Sequence, residues 1–213
     1  MVWNKKLLKQ CKLYLILDAQ VHDYATLLNV AKKSIVAGVD IIQLRDKFGS
    51  AKDILKFSEK ILYFTQGRAF YIINDRVDLA LASGVDGVHL GQDDLPIIMA
   101  RKIVGKKICL GVSCQTLGQA KKAQEQGADY IGFGSVFKTL TKPNRHPMDL
   151  KLLARVYKQI RIPVFPIGGI DLMNLSRLQE IGIKRVAVCR AISTAKNIRE
   201  ATMSLRERLD ERS

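Results

Sequence analysis

The chain has 213 residues, 47% hydrophobic and 26% charged, a balance that fits one globular domain with a sizeable core and excludes a disordered chain or a membrane protein. Thirty-five Lys and Arg against 20 Asp and Glu give a net charge of +15, which draws in anions without choosing among nucleic acid, anionic lipid and phosphorylated metabolites. No run of five like charges and no Arg/aromatic alternation marks a nucleic-acid footprint, and the four cysteines form no CxxC pair, so reduced thiols are expected.

Residues 1–11 read as an N-terminal extension. The apolar run Leu13 to Leu17 that follows is a first strand, too short for the core of a signal peptide, and a cytoplasmic protein is expected. Tyr24, Leu27, Leu28, Ala31 and Ile35 then fall on one helical face. Next comes Gly38-Val39-Asp40, a tripeptide that returns as Gly84-Val85-Asp86 and Gly127-Ala128-Asp129, with Gly182-Ile183-Lys184 as a weaker fourth copy. In each, a left-handed glycine ends a helix and the chain enters a strand. The strands after the four copies are Ile41 to Leu44, Gly87 to Leu90, Tyr130 to Phe133 and Arg185 to Val188. Between them lie Ala69 to Ile73, Lys107 to Val112 and Pro163 to Ile167, rich in β-branched and aromatic residues. Leu153, Val156, Tyr157 and Ile160 mark another helix, and Asp149 and Asp171 stand at N-cap positions.

Eight strands alternating with about eight helices predict an α/β fold, a (β/α)8 TIM barrel in a single compact domain. Residues 12–193 form the barrel core and residues 194–213 a C-terminal helix. The doubly wound open sheet is the other candidate, but no GxGxxG follows the first strand.

A barrel keeps its chemistry at the C-terminal ends of its strands. Strand 2 ends in Gln43-Leu44-Arg45-Asp46-Lys47, which puts Gln43, Arg45 and Lys47 on one side as a doubly cationic row. Strand 3 ends in Asn74-Asp75-Arg76 and strand 4 in Gly91-Gln92-Asp93-Asp94, so adjacent strands bring carboxylates to one rim, an arrangement suited to Mg²⁺ beside substrate phosphates. Helix capping is the other reading of Asp75 or Asp94 taken singly. Ser113 follows strand 5, and Thr139, Thr141 and Lys142 lie in a long loop after strand 6 suited to wrapping an anion. Gly168-Gly169-Ile170-Asp171 runs from strand 7 into a helix, a turn that suits a phosphate. His89 reads as a satisfied core or rim histidine. No Ser/His/Asp constellation is present, so the site suits a dissociative or metal-driven reaction on phosphorylated ligands.

In order and spacing, Gln43-Leu44-Arg45-Asp46-Lys47, Ile73-Asn74-Asp75-Arg76, Val88-His89-Leu90-Gly91-Gln92-Asp93-Asp94, Gly111-Val112-Ser113, Thr139-Leu140-Thr141-Lys142 and Ile167-Gly168-Gly169-Ile170 resemble the thiamine-phosphate synthases, over roughly Leu13 to Ser193. The resemblance implies a transferase. It would join hydroxymethylpyrimidine diphosphate to hydroxyethylthiazole phosphate, with pyrophosphate leaving before the thiazole nitrogen attacks. By that similarity Asp75 and Asp94 would hold Mg²⁺ against the diphosphate. Gln43, Arg45, Lys47, Asn74, Ser113 and Lys142 would contact the pyrimidine diphosphate, with Arg45, Lys47, Lys142 and Ser113 assisting the chemistry. Thr139, Thr141 and Gly168, with Gly169 in the same turn, would contact the thiazole phosphate.

The closely similar thiazole tautomerases usually carry a histidine soon after the strand 5 serine and lack the second carboxylate. Ser113-Cys114-Gln115 has no histidine and Asp94 is present, so the synthase is the leading reading and a tautomerase or other phosphate-binding isomerase the alternative. A non-catalytic binder of anions or nucleic acid is the remaining class. Lys138 stands where the family commonly has proline, Met148-Asp149 where a glycine often follows proline, and Arg190 where it often has serine; Arg190 is a candidate phosphate contact. Small phosphorylated substrates are the expected partners, with no nucleic acid and no membrane, and oligomerisation stays open.

Overall fold

The computed structural model describes residues 4–139 and 146–211. Eight parallel strands close into a barrel in sequence order, β1 (Leu13–Asp18), β2 (Ile41–Arg45), β3 (Phe70–Asn74), β4 (Gly87–Leu90), β5 (Cys109–Cys114), β6 (Tyr130–Gly134), β7 (Val164–Ile167) and β8 (Val186–Val188). The ring is completed where Tyr14 of β1 lies opposite Ala187 of β8. Helix α1 (Lys5–Leu8) precedes the first strand. Helices α2 (Tyr24–Val36), α3 (Ala51–Thr65), α4 (Val77–Ser83), α5 (Ile97–Val104), α6 (Leu117–Glu125), α7 (Leu150–Gln159), α8 (Leu175–Gln179) and α9 (Arg190–Ser193) follow the successive strands, and α10 (Ile198–Asp210) ends the chain. No helix among the described residues is long and apolar enough to cross a membrane.

Strand alternation sorts the core into two layers. Leu13, Leu15 and Leu17 of β1 turn outward beneath the helices, where they meet Leu27, Val30 and Ile35 of α2. Tyr14 and Ile16 turn into the barrel, where Phe70, Tyr130 and Phe165 fill the interior and Leu8 of α1 joins them. The rings of Tyr14, Tyr130 and Phe165 stand 5.4–5.8 Å apart in edge-on and tilted pairs, each such pair worth about 0.5–1.5 kcal/mol beyond its burial.

The repeated tripeptide does two jobs. Its glycines take positive φ at the helix ends: 98° at Gly38, 65° at Gly84, 94° at Gly127 and 81° at Gly182. Its aspartates then clamp the neighbouring strand. Asp40 accepts from the Lys12 and Leu13 amides at 2.7 and 2.9 Å, Asp86 from Tyr71 at 2.9 Å, and Asp129 from Leu110 at 2.9 Å. The fourth copy carries Lys184 instead, and β7 and β8 meet in register only at Ile167 opposite Ala187.

Asp149 caps α7 as expected, accepting from the Lys151 amide at 2.8 Å. Asp171 does not cap α8. It closes a turn by accepting from the Met173 and Asn174 amides, and the helix begins only at Leu175, with Asn174 at the N-cap position. The Gly168-Gly169 turn therefore does not run directly into a helix, and any anion there is met by the turn and its neighbours rather than by a helix N-terminus.

Candidate functional site

The C-terminal ends of the strands surround a cavity of about 410 Å³. Gln43, Arg45, Asn74, His89 and Ser113 line one side; Lys138, Thr139, Gly168, Gly169 and Arg190 line the other. Lys47, Asp75 and Asp94 form a separate cluster on the rim beside Asn74 and are not part of the lining. Thr141 and Lys142 lie outside the described residues.

Gln43 and Arg45 leave β2 on its inward face, as alternation requires. The Gln43 amide donates to Asn74 Oδ1 at 2.9 Å and accepts from the Tyr14 hydroxyl at 2.5 Å, which fixes both of its ends. Arg45 uses one terminal nitrogen on Asp18 and Gln20, both at 2.8 Å, while its guanidinium borders the cavity. Asp18, 1% exposed, is the register partner of Arg45 across β1 and β2, so the barrel itself aims this cation. A buried Arg/carboxylate pair of this kind is costly to break from one side, about 3–5 kcal/mol, because a lone charge would remain.

Asp75 has φ 63°, the one non-glycine residue at positive φ among the described residues. Its amide donates to the His89 carbonyl at 2.8 Å, and its carboxylate pairs with Lys47 at 3.0 Å and lies within hydrogen-bonding reach of Asp94. Asp94 accepts from the Gly91 amide at 2.6 Å. Neither carboxylate caps a helix: α4 starts at Val77 behind Arg76, and α5 at Ile97 behind Pro96. Burial and the facing Asp94 push the Asp75 carboxyl above its ordinary range, with Lys47 opposing. Asp94 is held below that range despite partial burial, because it accepts hydrogen bonds from Asp75 and Gly91. Two carboxylates pressed together beside one lysine supply hard oxygen donors to a cation. Among the described residues no group of three His, Cys, Asp or Glu is placed to hold a metal. Two carboxylates are the kind of ligand a hard cation takes when substrate oxygens complete its coordination.

Asp46 is occupied elsewhere, accepting from the Tyr24 hydroxyl at 2.6 Å and from the Phe48 and Gly49 amides. Cys114 lines the cavity as an inert thiol, pushed up to about 12 by burial.

On the far side, Gly168 has φ 106° and Gly169 φ 65°. A Cβ on Gly168 would overlap the Ser135 hydroxyl, and one on Gly169 the Lys138 carbonyl. The turn is therefore packed directly against the segment after β6. Arg190 opens α9 across from it, and its buried Nε has no hydrogen-bond partner among the described residues. A buried guanidinium nitrogen left unpaired at a cavity wall is a donor waiting for an acceptor.

His89 is a satisfied buried histidine as expected, its ring nitrogens bonded to Tyr130 and Ser113. Sequence reasoning missed three contributors: Asp18, Tyr14 and Tyr130. The signals were present. Asp18 is a carboxylate at the end of a barrel strand, and Tyr14 and Tyr130 are inward tyrosines whose hydroxyls need partners when buried.

A family model described as thiamine monophosphate synthase matches residues 13–192. The chain is 40% identical to a thiamine-phosphate synthase of Prochlorococcus marinus (strain MIT 9313) over 97% of its own length but only 59% of that longer protein. It is 38% identical to the thiamine-phosphate synthase of Fusobacterium nucleatum over 93% of this chain and 97% of the relative. Among solved structures, the thiamine phosphate pyrophosphorylase of Pyrococcus furiosus superposes with a TM-score of 0.86 at 31% identity, covering 97% of both chains. A 3-hexulose-6-phosphate synthase, at 20% identity and TM-score 0.67, shares the fold.

Proposed function

Since the chain belongs to the thiamine monophosphate synthase family, we propose that it is a transferase that joins 4-amino-2-methyl-5-hydroxymethylpyrimidine diphosphate to 4-methyl-5-(2-hydroxyethyl)thiazole phosphate, giving thiamine phosphate and pyrophosphate. The observation that supports this reading is one cavity with cationic groups at two ends: Arg45, with Lys47 and the carboxylate pair on the rim, at one end, and Arg190 with the Gly168-Gly169 turn at the other. The bond between the pyrimidine methylene and the diphosphate oxygen breaks, and its electron pair leaves on pyrophosphate. The thiazole nitrogen then supplies the pair for the new C–N bond. No general base is required, in keeping with a site built from cations and amides.

Arg45, fixed by Asp18, and Lys47 hold the diphosphate and favour the charge that grows on it. Lys142 belongs to the same group by family resemblance. Asp75 and Asp94 fit Mg²⁺ as paired oxygen donors, and Mg²⁺ when bound supplies positive charge against the leaving group. Ser113, Gln43 and Asn74 orient the pyrimidine. Thr139, Gly168, Gly169 and Arg190 take the thiazole phosphate. The substrates are small phosphorylated molecules, and the +15 charge steers such anions toward the protein. A cytoplasmic setting goes with this reading and with the four free thiols.

The deciding experiment mixes the protein with both substrates, with Mg²⁺ or with excess chelator, and follows thiamine phosphate as its oxidised fluorescent derivative. Metal-dependent product is expected. Product formed equally in chelator would remove Mg²⁺ from the proposal; no product, with thiazole phosphate still bound, would point to an isomerase. Arg190→Ala is expected to raise KM for the thiazole phosphate about tenfold or more, the worth of one charged hydrogen bond, with kcat little changed. An unchanged KM would free Arg190 from that role.

A further inference from the structure

Beneath the cavity runs a chain of buried hydrogen bonds whose proton order can be read from one end as far as His89 Nδ1. Gln43 Nε2 donates to Asn74 Oδ1, so its Oε1 is the acceptor for the Tyr14 hydroxyl, 2.5 Å away. That spends the one proton of Tyr14. At the 2.8 Å contact between the two phenols, Tyr130 must then be the donor. With its own proton spent, the Tyr130 oxygen accepts from His89 Nδ1–H at 2.9 Å. On an imidazole with that single N–H, Nε2 is an acceptor, and its 2.9 Å contact with Ser113 Oγ takes the hydroxyl proton. Burial raises both phenols and keeps them protonated, so the sequence of donors is not interrupted. Two glycines make room for the chain: a Cβ on Gly111 would overlap the Tyr130 ring, and one on Gly132 would sit 3.3 Å from the His89 ring.

We propose that His89 is a positioning residue: as the Nδ1–H tautomer set by Tyr14 and Tyr130, it takes the Ser113 proton, turns the Ser113 oxygen into a pure acceptor facing the cavity, and so selects a ligand ring that carries a hydrogen-bond donor, an exocyclic amine. The inference deepens the transferase reading and rests on it for the identity of the ring, an aminopyrimidine. A ring with hydrogen in place of the amine loses this bond. A ring with an oxo group there turns lone pairs toward lone pairs.

Two measurements test it. In the protein labelled with ¹⁵N-histidine, long-range ¹H–¹⁵N correlations report the tautomer of each ring, with His89 assigned by its loss in His89→Asn. Nδ1–H with a bare Nε2 is expected; an Nε2–H or a doubly protonated ring overturns the proposal. The second measurement is calorimetric titration, with Mg²⁺ present, of the aminopyrimidine diphosphate and of its analogue lacking the amine. Wild type is expected to prefer the amine about tenfold or more. Asparagine can still reach Tyr130 in place of Nδ1 but offers Ser113 no acceptor, so His89→Asn and Ser113→Ala should each abolish the preference. The double variant should be no worse than either single one, because the two act as a unit. Equal weakening toward both ligands marks a merely structural role and sinks the idea. Should the wild type make no thiamine phosphate while the tautomer and the preference hold, the transferase reading fails and this inference stands.

Discussion

Asp75→Asn and Asp94→Asn are each expected to lower turnover about a thousandfold, the scale of losing several kcal/mol of charge stabilisation on the leaving pyrophosphate. Asparagine is the clean replacement at Asp75, because it keeps the shape and tolerates the left-handed backbone at φ 63°. It removes one of the two carboxylate charges that the pair offers a cation, and no group of three acidic, imidazole or thiol ligands stands by among the described residues. Rates measured at saturating substrate across a Mg²⁺ titration, beside thermal unfolding, separate the two parts of the claim. The midpoint of unfolding should stay close to wild type, since both side chains are only partly buried and neither caps a helix. Near-normal turnover at limiting Mg²⁺ in either variant would take that residue out of the metal site.

Gly168→Ala is expected to damage both stability and the thiazole end of the cavity. At φ 106° a side chain is strained whatever the space, a cost of about 1–3 kcal/mol. The added methyl also collides with the Ser135 hydroxyl and the backbone beneath it, for about 1–3 kcal/mol more. For a chain of this size the sum corresponds to a fall of roughly 4–24 °C in Tm. Because the turn and the segment after β6 shift together, KM for the thiazole phosphate should rise while binding of the pyrimidine diphosphate, at the opposite wall, changes little. An alanine variant that melts and binds like wild type would show that the turn has slack the geometry denies it.

The barrel was legible in the sequence because its signals are local: the recurring Gly-x-Asp, and apolar runs of strand length between helical faces. The ends of the strands were less legible. Asp18, Arg45, Asn74 and Ser113 all belong to strands, yet they are polar, and a reading based on hydrophobic runs stops before them or passes over them. Arg45, Asn74 and Ser113 line the cavity, and Asp18 holds Arg45 there. Asp171 misled because it makes a capping-type turn that the chain does not continue as helix until Leu175. The chain from Gln43 to Ser113 was invisible for another reason. Tyr14 and Tyr130 lie 116 residues apart, and only the closed barrel sets their hydroxyls against each other. Local periodicity says that each points inward, not which partner it finds there. The same holds for Asp18 and Arg45, whose meeting depends on the register between β1 and β2.

The unequal stitching of the barrel has a consequence of its own. Three strand pairs are pinned at the closed end by Asp40, Asp86 and Asp129, whereas the fourth, β7 with β8, has Lys184 in that place and a single position in register. This least-laced seam ends in Gly168-Gly169 on one side and Arg190 on the other. A phosphate dianion lodged between them would bridge the two strands from the open end, as an aspartate bridges each of the other pairs from below. The molecule would then be fully hooped only when loaded, with the ligand as its last rivet.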